Sequence, residues 1–399
     1  MFCITEKNIL DVYKEEGKER EYRNCLNHKK LMKSKNKELT IKKLNIHKST
    51  ARHWIKNERI PCGIKSLNFL KEINLLPYYS NEITARIVGF LHGDGYLNNS
   101  LGSFGFVSKD KHMLLTLRGD VEKEFKIKTK LKKKRDKGDI ESINGKKIIV
   151  KHPTYELKYH SKSLCSLLFK LGVPKGKKIY QTTFVPNWIM KENKNIKKAF
   201  LQGLFDSELC NSVISTYEKH ENNLSSPRME MGKTKELENN LRQYLQQITI
   251  LLNSFKIKSN ISGIRNYREG RISLTLSISN KLSNIYNFID KIGFYYNIPR
   301  MERARYIKKL AIGKIKKKNS LYKILDFCKN KKSFTSKDLE TLEIAISSSK
   351  IWGTYLDKNG FATRKRTKNR WFKYFPNVNK INKIIKNPLL LEDLPKINT

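Results

Sequence analysis

Two apolar stretches of the chain each carry a pair of small residues four positions apart and end in an acid. The first reads ARIVGFLHGDGYL (residues 85–97), and the second reads AFLQGLFDSELC (residues 199–210). The small residues and the acid occupy matching positions: Gly89, Gly93 and Asp94 in the first stretch, and Gly203, Ser207 and Glu208 in the second. Because positions i and i+4 lie on one face of an α-helix, each stretch predicts an apolar helix with a flat strip along one side.

Small residues on one face allow two helix backbones to approach closely. We therefore expect the two motif helices to pack with these glycines and the serine at their interface. Asp94 and Glu208 would then lie side by side at the helix ends. Paired carboxylates suit a hard divalent cation such as Mg²⁺, which keeps most of its waters. For either stretch alone, the alternative is a buried helix with an incidental acid, and the repeat argues against it.

The residues that follow each motif repeat the same order of elements: a helix, two strands, a helix, two strands and a helix. In the first half, one strand ends near Val107 and a later strand is TYELKYHS (154–161). The helix KSLCSLLFKLG (162–172) ends the unit. In the second half the strands are NSVISTYEKH (211–220), RMEMGKTK (228–235) and the hairpin that contains GRISLTLSIS (270–279). The pattern predicts two similar α+β units, αββαββα.

The charge of the chain points to a polyanionic partner. Lys and Arg total 82 against 37 Asp plus Glu, a formal net charge of +45. The sequence shows neither an apolar run long enough to span a membrane nor the apolar core of a signal peptide, so nucleic acid is favoured over a membrane surface. The six cysteines form no CxxC pair, which excludes common zinc and redox motifs and suggests a reducing cytoplasm.

The pair IVGFLHGDG and LQGLFDSEL resembles the motifs of LAGLIDADG homing endonucleases, and LLFKLGVPKGKKIYQTTFVPNWI (167–189) resembles the link between halves of single-chain members. The resemblance implies two pseudo-symmetric αββαββα repeats whose saddle-shaped antiparallel sheets enter the DNA major groove. It also implies that Asp94 and Glu208 bind Mg²⁺ and that the enzyme cuts both strands across the minor groove. The chain departs from the family pattern at His92, in place of the first motif acid, and at Leu209, in place of the second final glycine.

Further residues are candidates for catalysis and for DNA contact within the repeats. Lys109 and Lys233, in matching strands, would polarise the water or the phosphate, or would only touch the DNA backbone. Polar side chains that alternate along strands would read base edges, and a solvated sheet face would give the same pattern. These readout candidates are Lys158, Arg271, Ser273 and Thr275. The lysine-rich segment 126–139 would grip phosphates or form a solvated loop.

Both ends of the chain predict small helical DNA-binding domains. Residues 37–61 indicate a helix-turn-helix with Arg52, His53 and Lys56 facing outward, or a helical hairpin without DNA contact. Residues 320–375 indicate three helices and a basic two-stranded wing, in which Lys350, Arg364 and Arg366 contact phosphates. We expect four regions: an N-terminal helical domain (1–79), a first repeat (80–190), a second repeat (191–300) and a basic linker with a winged-helix-like domain (301–399).

The sequence thus predicts a site-specific, Mg²⁺-dependent endonuclease for double-stranded DNA. A monomer would suffice, because both halves of the site lie in one chain. Three alternatives stay open: a DNA-binding regulator that has lost cleavage, a maturase that binds intron RNA, and an intein that carries the nuclease. The intein is the least favoured, because residue 1 is Met and the chain ends in LEDLPKINT, without the nucleophile and Asn junction that splicing uses.

Overall fold

The computed structural model describes residues 2–143, 146–210, 224–267, 270–318, 320–342, 346–367 and 372–394. The chain forms two compact units. Among the described residues, the larger unit contains those up to 210, 227–277 and 291–301, and the smaller contains 224–226, 278–290 and 302–394. None of the described helices is long and apolar enough to cross a membrane.

The larger unit begins with a short strand and five helices: β1 (Cys3–Ile4), α1 (Glu6–Glu15), α2 (Glu19–Lys33), α3 (Lys37–Lys43), α4 (Lys48–Ile55) and α5 (Cys62–Glu72). Strand β2 (Tyr78–Tyr79) pairs antiparallel with β1. Helices α3 and α4 are joined by a short turn, and Ala51 and Trp54 of α4 pack against Leu31 of α2. The predicted helical hairpin is therefore present, and its contact with DNA stays a prediction.

The first motif opens a mixed unit with these elements: α6 (Glu82–His92), β3 (Gly95–Leu97), β4 (Ser103–Ser108), α7 (Lys111–Phe125), β5 (Leu131–Arg135), β6 (Ile140–Ile143), β7 (Lys146–Ile149), β8 (Thr154–His160) and α8 (Lys162–Lys170). Strands β3, β4, β8 and β5, in that order, form the antiparallel first sheet, while β6 and β7 form a separate hairpin. Part of the lysine-rich segment is thus an edge strand, because β5 pairs with β8, rather than a free loop.

The second motif lies in α10 (Lys194–Glu208), which follows the short helix α9 (Asn187–Lys191). The unit continues with β9 (Arg228–Thr234), α11 (Glu238–Ser254), β10 (Ser259–Tyr267) and β11 (Arg271–Ile278), while α12 (Leu282–Lys291) belongs almost wholly to the smaller unit. Strands β10, β11 and β9, in that order, form the second sheet. The strand predicted at 211–220 lies outside the described residues.

The two motif helices form the centre of the larger unit. Every residue of α6 from Thr84 to His92 is buried, as expected for a helix that is apolar on all sides. Asn81 caps the start of α6 and Asn193 caps the start of α10, each accepting hydrogen bonds from backbone N–H groups of the first turn. The sheets turn alternate apolar side chains toward the helices, for example Phe106 on β4.

The smaller unit has its own apolar core. Its elements include α13 (Ile298–Lys318), α14 (Ser320–Lys329), β12 (Phe334–Thr335), α15 (Ile346–Lys358), β13 (Ala362–Arg366), β14 (Phe372–Pro376) and α16 (Val378–Lys386), with α13 starting in the larger unit. Strands β12, β14 and β13, in that order, form a sheet, and Ile324, Leu356 and Ile381 lie fully buried. The predicted basic wing corresponds to β13 and β14. The middle predicted helix is a 3-10 segment, Ser336–Leu342.

Candidate functional site

Two glycines let α6 and α10 pack main chain against main chain. A Cβ atom on Gly89 would lie 3.0 Å from the amide nitrogen of Leu204 and would collide with the carbonyl oxygen of Phe200. On Gly203 it would collide with the carbonyl oxygen of Arg86. No side chain fits at either position without moving a helix backbone.

The same contact continues to the helix ends through the remaining small residues. A Cβ atom on Gly93 would lie 2.9 Å from the Cβ of Ser207 and 2.9 Å from the Cγ of Glu208. The structure therefore brings the end of the first motif onto the end of the second. Because Asp94 directly follows Gly93, the two predicted acids are neighbours.

The electrostatics of the acids reflect this proximity. Burial and, after it, the negative charge of Asp94 raise the pKa of Glu208 to about 7. Solvent reaches the Asp94 side chain. The surrounding protein atoms nevertheless remove enough hydration to raise its pKa as well. Burial thus makes both carboxylates hold a proton more tightly than they would in water.

Lys178 lies beside the acids and was missed by the sequence reasoning. Its ammonium donates hydrogen bonds to the carbonyl oxygens of Gly93 and Gly95, the latter at 2.5 Å. Burial lowers the pKa of Lys178 to about 8, against the opposing attraction of Glu208 and Asp94. The only sequence signal was its position in the LGVPKGKK segment, which gave no reason to prefer it among 82 basic residues.

Arg300 occupies the corresponding place at the end of α10. Its Nη1 donates hydrogen bonds to the carbonyl oxygens of Phe205 and Asp206, at 3.0 and 2.9 Å. Its positive charge acts to lower the pKa of both Asp94 and Glu208. One basic side chain therefore binds carbonyl groups at the end of each motif: Lys178 just after α6, and Arg300 within the last turn of α10.

The two lysines predicted to be catalytic have different environments. Lys109 is exposed directly after β4. Lys233 is 4% exposed, and its ammonium donates to the carbonyl oxygens of Lys178 (2.6 Å) and Gln181 and to Thr183 Oγ1 (2.7 Å). Three acceptors occupy its three protons. In the structure Lys233 thus holds the segment that carries Lys178, and its catalytic role stays a prediction.

The two motifs carry different residues directly before their last small residue: His92 in the first motif and Asp206 in the second. His92 is buried, and its pKa is lowered to about 3, chiefly by burial. The neutral ring donates from Nε2 to the carbonyl oxygen of Gly172 (3.2 Å) and accepts at Nδ1 from the Tyr244 hydroxyl (3.2 Å). In the second motif, Asp206 accepts hydrogen bonds from the backbone N–H groups of residues 295–297. Both residues fasten a loop to a motif helix.

A divalent metal ion fits the donors at this site. Among the residues that the structure describes, no three or more His, Cys, Asp or Glu side chains form a metal cluster. The protein therefore offers two carboxylates, and the remaining ligands would be water and substrate oxygens. This set suits Mg²⁺ better than zinc, which prefers Cys and His. The raised pKa of Glu208 fits too, because a cation would replace the proton that the pair tends to hold.

The predicted readout residues of the sheets have different environments. Lys158 is exposed on β8, while Arg271 and Thr275 are half-buried on β11. Ser273 is 3% exposed, and its hydroxyl donates to Glu230 at 2.5 Å. The expectation that Ser273 is open for base contact is corrected, since its hydroxyl is already bonded.

The predicted DNA-binding residues outside the repeats lie mostly on the surface. Arg52 of α4 and Lys56, which directly follows α4, are exposed, and His53 Nδ1 bonds to Glu58 at 2.8 Å. In the smaller unit, Lys350 belongs to α15, and Arg364 and Arg366 are exposed on β13. Arg364 forms an ion pair with Asp357 at 3.0 Å.

Comparison with known proteins gives partial matches. No family model matches the chain. The tRNA-splicing ligase RtcB of Methanocaldococcus jannaschii is 30% identical over 276 residues, covering 64% of this chain and 28% of the ligase. The ligase RtcB of Methanopyrus kandleri is 29% identical, covering 58% of this chain and 23% of the ligase. The RNA polymerase subunit Rpo1N of M. jannaschii is 31% identical, covering 61% of this chain and 18% of the subunit.

The chain thus spans less than a third of the length of these relatives. Solved structures give only distant likenesses. A single-substitution variant of I-DmoI, in complex with its target DNA in the presence of 2 mM Mg, aligns at a TM-score of 0.32 and 18% identity, covering 53% of this chain and 98% of that one. Full-length DUF199/WhiA from Thermatoga maritima aligns at a TM-score of 0.32 and 14% identity, covering 82% of this chain and 96% of that one. Scores this low carry no argument about function.

Proposed function

We propose that the chain is a site-specific endonuclease that hydrolyses both strands of double-stranded DNA with a divalent metal, Mg²⁺, held by Asp94 and Glu208. The observation that supports it is the meeting of these two carboxylates at the ends of two glycine-packed helices. Each helix opens a unit with an antiparallel sheet, and the chain carries a net charge of +45 that favours a polyanion.

The side chains around the acids suit phosphodiester hydrolysis. Bound Mg²⁺ would supply a Lewis acid and a water of lowered pKa. Asp94 and Glu208 hold and orient that ion. Lys178, still mostly protonated at neutral pH with a pKa of about 8, and Arg300 place positive charge where the phosphate gains negative charge. His92 takes no proton in this range, because its pKa is about 3.

The partial matches support a separate module rather than the activity of any one relative. Each match covers more than half of this chain, so the matched parts overlap. Yet they fall within proteins named as an RNA ligase, an RNA polymerase subunit and a replication factor C subunit, and make up 12–28% of each. A part shared by proteins of such different chemistry has a function of its own, and a nuclease active on the encoding DNA is consistent with that distribution.

A plasmid library with randomised inserts tests the proposal. The full chain with Mg²⁺ should convert a small fraction of the plasmids to linear form, and the sequenced ends should share one site. The Asp94→Asn/Glu208→Gln double variant serves as the control and should leave every plasmid uncut. Sequence-selective duplex binding without cutting in Mg²⁺ or Mn²⁺ would replace the nuclease with a regulator, and tighter binding to structured intron RNA would replace it with a maturase.

A further inference from the structure

Each of the two sheets carries one acidic residue among its strands. In the first sheet it is Glu156 on β8, and in the second it is Glu230 on β9. The remaining charged residues of these strands are basic. A carboxylate on a surface that meets DNA repels phosphates and lowers affinity, so its presence in both sheets calls for a compensating function.

In the first sheet, Glu156 is held from both sides. The Tyr96 hydroxyl on β3 donates to its Oε1 at 3.2 Å, and Lys134 Nζ on β5 donates to the same oxygen at 2.9 Å. The Tyr96 ring crosses β4 to reach it. Gly105 of β4 makes room for the crossing, because a Cβ atom there would lie 2.7 Å from the tyrosine hydroxyl.

In the second sheet, Glu230 is held in the same way by different residues. The Tyr267 hydroxyl donates to it at 2.7 Å and Arg265 Nη1 at 3.3 Å. Both donors lie on β10 and reach across β11. The bonds from Ser273 and Tyr267 lower the pKa of Glu230, so it is anionic at neutral pH. It lines an open cavity of about 390 Å³ with Arg228, Arg265 and Thr275.

The two clusters, Tyr96–Glu156–Lys134 and Tyr267–Glu230–Arg265, share one chemical layout. In each, a tyrosine that reaches across a strand donates to the carboxylate. The carboxylate also lies next to a cation with unused N–H donors. In the major groove, a G·C pair presents two acceptors on guanine beside the N4 amino donor of cytosine. An adjacent cation and carboxylate match that edge, whereas an A·T pair offers a different order of donors and acceptors.

We propose that each cluster reads one G·C base pair in its half of the DNA site, with the cation on guanine and the glutamate on cytosine. This inference depends on the proposed function, because it takes the two sheets to be the DNA-facing surfaces. Glu156 and Glu230 are then specificity residues rather than ties that only stabilise the sheets.

Selection from a randomised duplex library, without divalent metal so that no DNA is cut, tests the assignment. The wild-type chain should enrich a site with a strongly preferred G·C pair at one position in each half. Glu230→Gln should reduce that preference about tenfold at one position only, and Glu156→Gln should do so at one position in the other half. The matched control is Glu238→Gln, which removes an equally charged partner of Arg242 on α11, outside the strands of both sheets, and should leave the profile unchanged.

The outcomes separate the two proposals. If the wild type enriches and cuts one site while both glutamine variants keep its full profile, or weaken binding equally at all sequences, the base-reading assignment is wrong and the nuclease stands. If the wild type enriches no duplex sequence, the proposed function fails and the assignment fails with it. Thermal unfolding of each variant confirms that the compared proteins are folded.

Discussion

The ends of the two motif helices share their geometry and differ in their chemistry. Each places an acid beside a basic side chain that binds main-chain carbonyl groups. At the first end the base is Lys178, whose pKa is lowered to about 8, and at the second it is the guanidinium of Arg300. The residue two positions before the acid is a neutral His92 in one and a carboxylate, Asp206, in the other.

This difference indicates which features the fold requires. The glycines recur because main-chain contact admits no side chain, and the acids recur because both lie at one site. The loop-fastening position tolerates an imidazole or a carboxylate, since the partner is a carbonyl oxygen in one half and N–H groups in the other. The two halves of the site are therefore equal in shape and unequal in their response to pH.

The largest expected effect comes from removing one acid at a time. We expect Asp94→Asn and Glu208→Gln each to lower cleavage of both strands about 1000-fold, because the acids form one site rather than two. Duplex binding without metal should change little. The measurement is conversion of supercoiled plasmid to nicked and linear forms. A variant that still nicks one strand at the wild-type rate would show that the two ends work independently.

The helix contact can be broken through its glycines. We expect Gly89→Ala and Gly203→Ala each to lower the free energy of unfolding by about 3 kcal/mol, because the new methyl meets backbone oxygens that cannot move away. Gly119→Ala in α7 is the control. Nothing lies near its added Cβ, so it should stabilise the helix by about 0.5 kcal/mol. Urea unfolding measures the free energy of unfolding of all three variants. Equal changes in the three would contradict the close approach of α6 and α10.

The pH dependence of cleavage tests whether Lys178 and Arg300 differ in their effect. Cleavage by the wild type should fall as pH rises through about 8, where Lys178 loses its charge. Lys178→Arg should lower the rate about tenfold at pH 7, because the guanidinium fits the space differently, and should remove the decline above pH 8. The converse Arg300→Lys should keep the wild-type decline. Single-turnover cleavage rates from pH 6 to 9 test these expectations. If Lys178→Arg kept the wild-type pH profile, Lys178 would be excluded as the cause of the decline.

The smallest effect concerns proton and metal competition at Glu208. Its pKa in the folded protein, about 7, lies above the ordinary value of 4.5, so the folded state binds a proton more tightly than the unfolded chain. Without metal, the free energy of unfolding should therefore fall by about 1 kcal/mol as pH rises from 4.5 to 7, less than the full shift because the side chain is half-exposed.

Mg²⁺ should restore stability above pH 7 and have little effect at pH 5, because it binds the deprotonated pair. Glu208→Gln should weaken the fall with pH, leaving the part due to the raised pKa values of Asp94 and Asp206, and should remove the stabilisation by Mg²⁺. Thermal unfolding with and without Mg²⁺ at both pH values provides the measurement. Equal stabilisation by Mg²⁺ at pH 5 and pH 8 would place the ion elsewhere.

The sequence contained the spacing that positions the two acids, because the small residues and the carboxylates follow helical periodicity. It did not indicate Lys178 or Arg300, since Lys178 lies in the connection between α8 and α9, Arg300 lies at the start of α13, and both resemble many other basic residues. Strand alternation identified which face a residue occupies, but not its cross-strand partners. Ser273 was therefore expected to be open, and Glu156 and Glu230 were not noticed. The hairpin β6–β7, which follows the lysine-rich segment, was also missed, although residues 140–149 contain four isoleucines and an Asn-Gly pair typical of hairpin sequences.

The contact between Gly89 and Gly203 has an evolutionary consequence. At the crossing points themselves, the joint is made of main-chain atoms and requires only that each helix lacks a side chain there. Two halves of different ancestry that keep a glycine at this crossing can be combined in a new pair. Recombination between related genes could then create an enzyme with a new pair of half-sites in one step, without redesign of the catalytic centre.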